Sequence, residues 1–231
     1  MLTKDEFQKR QDELDEEVRT IWENPFLDGI THYESYMKAP VRLLWILKEP
    51  HGDGYRDLRE LFACPKEFYP RWLNTFGNIM RVSWAILENA QRKAGIYDFS
   101  QIPEIDTEKC MIDSAFVLEE VAIINLKKQS GETSTKDGIL DREYNRKGVK
   151  EFLFKQIEFI NPEIIINCHG VTDFINDQLS GNQPGKINDV GYGFNGGRLI
   201  IDTRHPFVQL VKDVSDENYC NNILSVFKAA K

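Results

Sequence analysis

Four short stretches of this 231-residue chain carry side chains able to do chemistry. The first is Lys48-Glu49-Pro50-His51, which stops a run of large apolar residues. The second is Asn125 followed by Lys127 and Lys128. The third is Cys168-His169-Gly170, and the fourth is Arg204-His205-Pro206. Each follows an apolar segment directly. Together they hold a carboxylate, an amide, several imidazoles and several cations. A positioned carboxylate stabilises a developing cation or moves a proton, and an imidazole donates to a developing anion.

The elements that must position these groups are legible as patterns. Val41–Leu47 is apolar throughout apart from Arg42, "VAIINL" covers Val121–Leu126, "EIIINC" covers Glu163–Cys168, and "RLIIDT" covers Arg198–Thr203. Such runs read as strands buried on both faces, the mark of a parallel sheet. Helical spacing appears between them. Residues 3–24 form an amphipathic helix opened by a Thr3/Glu6 capping box. Residues 55–63, Phe76–Arg92, Val149–Ile160, Val171–Leu179 and 216–230 follow, with 110–119 weakly helical, 25–40 irregular and "GNQPGK" a loop. The expected fold is a single α/β domain over residues 1–231. It is a three-layer sandwich around a four-stranded, mostly parallel sheet, with residues 1–40 as an N-terminal helical extension. In such sheets ligands bind beyond the carboxyl ends of the strands, where all four stretches fall.

Composition narrows the function classes. No apolar run approaches the ~20 residues of a membrane span, and the charged start lacks a signal-peptide core, so no membrane partner and a cytoplasmic location are expected. The four cysteines form no C-x-x-C pair and the four histidines are few, so neither a metal site nor a cofactor is expected. Isolated buried thiols are the reading. The net charge is −8, half of it from eight acidic and four basic side chains in residues 1–25. An acidic chain is a poor prior for nucleic-acid binding, where phosphate contacts dominate affinity. "GYGFNG" matches G-x-G-x-x-G but precedes a strand, so a hairpin turn at Asn195-Gly196-Gly197 is expected in place of a dinucleotide site.

The order of strand, "KEPHGDG", "NLKK", strand and "RHP" resembles the uracil-DNA glycosylase superfamily over roughly Val41 to Lys228. Members carry a Gly-Gln-Asp-Pro-Tyr-like first motif, an Asn at the end of the second strand and a late His-Pro. The resemblance implies a glycosylase-type fold and activity, needing no metal, on a deaminated base in DNA, uracil foremost. It implies Glu49 as the carboxylate that orients water and stabilises the cationic sugar, and His205 as the imidazole facing the departing base. It places Asn125 on the pyrimidine edge and Phe62, 13 residues after Glu49, on the stacking ring. His51 falls where some members exclude the thymine methyl. Lys48 is expected to pair with Glu49 or to meet a phosphate, and Lys127, Lys128 and Arg204 are assigned to the nucleic-acid backbone. Phe207 and Leu210 are the candidates for a wedge that fills the space of a flipped base. The sequence departs from the family at Leu47-Lys48, which replaces Gly-Gln, at Glu49, one methylene longer than Asp, and after His205-Pro206, where the usual Ser-Pro is missing. A monomer acting on DNA with a damaged base is the expectation. The alternatives are a hydrolase of a small nucleoside or nucleotide, and a non-catalytic member that binds a nucleobase, nucleic acid or a protein.

Overall fold

A computed structural model describes residues 2–50, 57–63, 73–105, 113, 115–131, 138–182, 184–207 and 214–230. The described chain is an α/β fold built on one mixed sheet. Its centre is four parallel strands, β2 (Leu43–Leu47), β3 (Val121–Asn125), β4 (Ile164–Asn167) and β7 (Arg198–Asp202), in the spatial order β3-β2-β4-β7. β2, β3 and β4 are buried along their whole length, as runs such as "LLWIL" and "IIIN" require.

Among the described residues the sheet has seven strands rather than four. A two-residue strand β1 (Gly29–Ile30) pairs antiparallel with β3 at one edge. At the other edge β5 (Gly185–Ile187) and β6 (Val190–Asn195) add an antiparallel hairpin beside β7. These edge strands are short or Gly-rich, and β5 and β6 are mostly half-exposed or exposed, so they lack the continuous apolar signal of the central four. "GNQPGK" accordingly contributes part of a strand, and residues 25–40 hold β1 and the helix α2 (Tyr33–Lys38). The expected hairpin turn is present. Gly196 and Gly197 take φ values of 57° and 83° between the paired Asn195 and Arg198, a conformation that favours glycine at both positions.

Helices cover both faces. On one lie α3 (Leu58–Ala63), α4 (Asn78–Arg92) and the C-terminal α8 (Asp216–Ala229), packed on Leu43, Trp45, Ile123, Ile166 and Ile201. On the other lie α1 (Lys4–Ile21), α5 (Ile139–Tyr144), α6 (Val149–Ile160) and α7 (Thr172–Gln178), packed on Leu44, Ile46, Ala122, Ile124 and Ile165. α1 opens on the expected capping box, in which the Glu6 carboxylate accepts the Thr3 N–H at 2.8 Å and Thr3 Oγ1 accepts the Glu6 N–H at 3.2 Å. Among the described residues, no helix is long and apolar enough to cross a membrane.

This order fixes where a ligand would sit. The chain leaves β2 for β3 on one side and leaves β4 for β7 on the other. The connections therefore part between the carboxyl ends of β2 and β4, the switch point at which open α/β sheets place their ligand crevice. The strand that flanks it, β2, depends on Trp45, which is fully buried and donates its indole N–H to Ser83 Oγ at 2.9 Å. Trp45→Ala is expected to cost about 3–5 kcal/mol, the range for deleting a buried large aromatic. Chemical denaturation monitored by circular dichroism measures it.

Candidate functional site

The pairing of β2 and β3 continues past the strand ends. The Leu126 N–H donates to Leu47 O at 2.9 Å and the Lys127 N–H to Lys48 O at 3.0 Å, and the Gly131 N–H then returns to Pro50 O at 3.1 Å. The first turn of the polar loop after β3 thus lies across Lys48–Pro50. This register sets Lys127 beside Glu49, with Nζ 2.9 Å from Oε2. The Glu49 side chain is 8% exposed, and its carboxylate rests on Gly131, where an added Cβ would fall 1.9 Å from Glu49 Cδ. Only glycine permits that approach. Among the described residues the ion-pair partner of Glu49 is Lys127, not Lys48, and this pair occupies the ammonium assigned to a DNA phosphate.

Lys48 acts on the other side of the crevice. Among the described residues it forms no ion pair, and its charge bears on Cys168, His169 and His205. Both imidazoles are held by the same local bond. The Val171 N–H donates to His169 Nδ1 at 3.0 Å, and the Phe207 N–H donates to His205 Nδ1 at 3.2 Å. A neutral ring that accepts at Nδ1 carries its proton on Nε2. Burial, reinforced by the Lys48 charge, pulls His169 down to about 3 and His205 down to about 4. Both rings are therefore neutral Nε2–H donors near pH 7. His169 packs edge-on against Phe174, and its Nε2 is buried without a partner among the described residues. At the end of β7, burial lifts the Asp202 carboxyl to about 6.

Asn125 stands at the end of β3 and is 1% exposed. One oxygen of Asp28, Oδ2, accepts both its backbone N–H at 2.8 Å and its Nδ2 at 3.3 Å. The other, Oδ1, accepts Lys128 Nζ at 2.7 Å and Gln156 Nε2 at 3.0 Å. Lys128 also donates to Gln156 Oε1 at 2.8 Å. Burial lowers the Lys128 ammonium below its usual range, and the Asp28 charge and hydrogen bond offset part of that. With a side chain 1% exposed, Lys128 is not a phosphate contact, contrary to the sequence assignment.

Phe62 departs from its assignment in the same way. It is 2% exposed and meets Phe76 edge-on at 4.9 Å, so it is a core ring without an open face for stacking. "LRELF" is an apolar helix face, and the core takes it. Arg204 is half-exposed and lies 3.9 Å from Asp189, and Phe207 is half-buried. His51 and Leu210 lie outside the described residues.

The rim thus gathers the backbone positions of Glu49, Asn125, Cys168-His169 and His205 across four adjacent strands. β2 and β7 are two strand spacings apart, about 10 Å. Four further residues complete the site. Asp202 sits at a strand end, where the apolar run "RLIIDT" already pointed. Gly131, Asp28 and Gln156 carry no such signal. No protein-family model matches the sequence, and no curated protein matches it.

The buried His169 and the half-buried His205 set a pH dependence. Free imidazole titrates near 6.5, so between about 6.5 and 4 the unfolded chain binds protons that the folded chain refuses. Stability falls as the pH drops through that window. Asp202 runs the other way, since the folded chain protonates it from about 6 and the unfolded chain from about 3.8. His169→Gln isolates one contribution. Its stability deficit relative to wild type is expected to shrink as the pH falls from 7 to 4.5, measured by urea denaturation. A deficit that stays constant over this range removes His169 from the linkage.

Proposed function

We propose that this chain is a uracil-DNA glycosylase-like enzyme that hydrolyses the N-glycosidic bond of a deaminated base, uracil foremost, in DNA. The observation that carries the reading is the strand order, which puts Glu49, Asn125 and His205 just at or beyond the carboxyl ends of one parallel sheet, on either side of the point where its connections part. Glycosidic cleavage leaves an oxocarbenium-like sugar and a departing base anion. Glu49 supports the first. Its pair with Lys127 and its seat on Gly131 fix the carboxylate in place. His205 supports the second as a neutral Nε2–H donor, and the Lys48 charge beside it favours negative charge at the same point. Asn125 reads the base. A base in a duplex must first leave the stack.

A second reading has its own support. Lys127 and Lys128 are both spent on internal carboxylates, and the chain is acidic overall. A hydrolase of a small nucleoside or nucleotide needs fewer backbone contacts. The two differ in salt dependence, since binding of a DNA chain weakens steeply as salt rises.

Base release from single- and double-stranded oligonucleotides carrying uracil, hypoxanthine or xanthine tests both readings. Release from oligonucleotides that falls with added salt is expected; release confined to free nucleosides or nucleotides supports the second. Under single turnover, Glu49→Gln is expected to lower the rate by ~10²–10⁴-fold with the fold retained. Gly131→Ala, which must displace the carboxylate, is expected to mimic it. Unchanged rates remove Glu49 from the mechanism. His205→Ala is expected to cost about 10²–10³-fold, the range for one donor to a developing anion. Because His205 stays neutral above about 4, the rate it supports is expected to be level from pH 6 to 8. A loss of rate tracking deprotonation near 6.5 would mean that the charged ring is needed instead.

A further inference from the structure

The cluster behind Asn125 is costly. It places a carboxylate and an ammonium, each with a side chain 1% exposed, together with Gln156 in the interior at the edge of the rim. A buried ion pair rarely stabilises a fold more than apolar side chains of the same volume would, because desolvation consumes the Coulomb gain. What this one does locally is specific. Asp28 Oδ2 bridges the backbone N–H and the side-chain Nδ2 of Asn125, and so lies on the backbone side of the amide. The Nδ2 proton on that side is the one trans to the carbonyl oxygen. The opposite edge, Oδ1 beside the second N–H, makes no hydrogen bond among the described residues. Without Asp28 the amide is free to rotate by half a turn and present the reverse order. Lys128 and Gln156 hold the other carboxylate oxygen, so Asp28 itself does not turn.

We propose that Asp28 is a positioning residue for base recognition: it orients the Asn125 amide so that an acceptor and an adjacent donor face the rim, which selects a base edge with an N–H beside a carbonyl. Uracil and other deaminated bases offer such an edge; cytosine offers the reverse pair. The inference rests on the glycosylase reading for the identity of the ligand, and on the structure alone for the orientation.

Asp28→Asn keeps an oxygen that can accept from Asn125, and any loss of the carboxylate alone strands a buried ammonium, so the variant of choice is Asp28→Leu with Lys128→Met, which removes the acceptor and both charges. Single-turnover uracil release by this double variant is expected to fall about 10- to 100-fold, the range for losing an outer partner that orients a contacting side chain. In an Asn125→Ala background the same two changes are expected to have no further effect, because Asp28 acts through Asn125. An undiminished effect in that background would show a merely structural role and overturn the proposal. A second measurement needs neither activity nor a variant that folds. In the wild-type protein, the Asn125 side-chain amide in ¹⁵N NMR is expected to show one proton protected from solvent exchange by Asp28. Two rapidly exchanging protons would overturn the proposal. Should no base be released from any oligonucleotide while the protected proton is present, the glycosylase reading falls and the orientation by Asp28 stands.

Discussion

The register of β2 between β3 and β4 is the constraint on which the rest of the molecule depends. Leu43 lies opposite both Val121 and Ile164, and Leu47 lies opposite Asn125. A slip of one residue would turn Trp45 and its neighbours from one helical layer to the other. It would also separate Glu49 from Lys127 and Gly131, because these meet only through the backbone bonds that extend the pairing beyond Leu47. Burial of an apolar strand on both faces thus sets the geometry of polar groups that lie just past its end.

The cations near the rim divide by direction. Lys127 and Lys128 turn inward to Glu49 and Asp28, where each fixes a carboxylate. Lys48 stays without an ion pair among the described residues and works on two neutral imidazoles across the crevice. The inward pairs cost desolvation and return orientation; the unpaired ammonium returns a positive potential where a leaving group would gather charge. A chain with net charge −8 can still hold a local positive point at one rim, and net charge alone says little about it.

The first forty residues supply more than cover. α1 shields one face of the sheet, β1 closes its edge beside β3, and Asp28, just before β1, enters the interior to meet Asn125. A segment that is amphipathic at one end and irregular at the other in sequence becomes part of the site through a two-residue strand.

The apolar runs by themselves determined the four central strands, and their uniform burial made those strands parallel and the fold α/β. Their ends named Glu49, Asn125, His169 and His205, because a strand buried on both faces can place polar groups only where it stops. The Thr3/Glu6 box and the Gly196-Gly197 turn were equally legible, since each is set by local backbone chemistry. Partners were not. That Glu49 bonds Lys127, that Lys128 is buried against Asp28, and that Phe62 joins the core all follow from contacts between residues far apart in the chain. The edge strands β1, β5 and β6 escaped for the same reason, as their pairing comes from a neighbour and not from their own periodicity. Local chemistry marks where a polar side chain stands in a strand or loop, whereas only the packed fold decides which way it faces and what charge it meets.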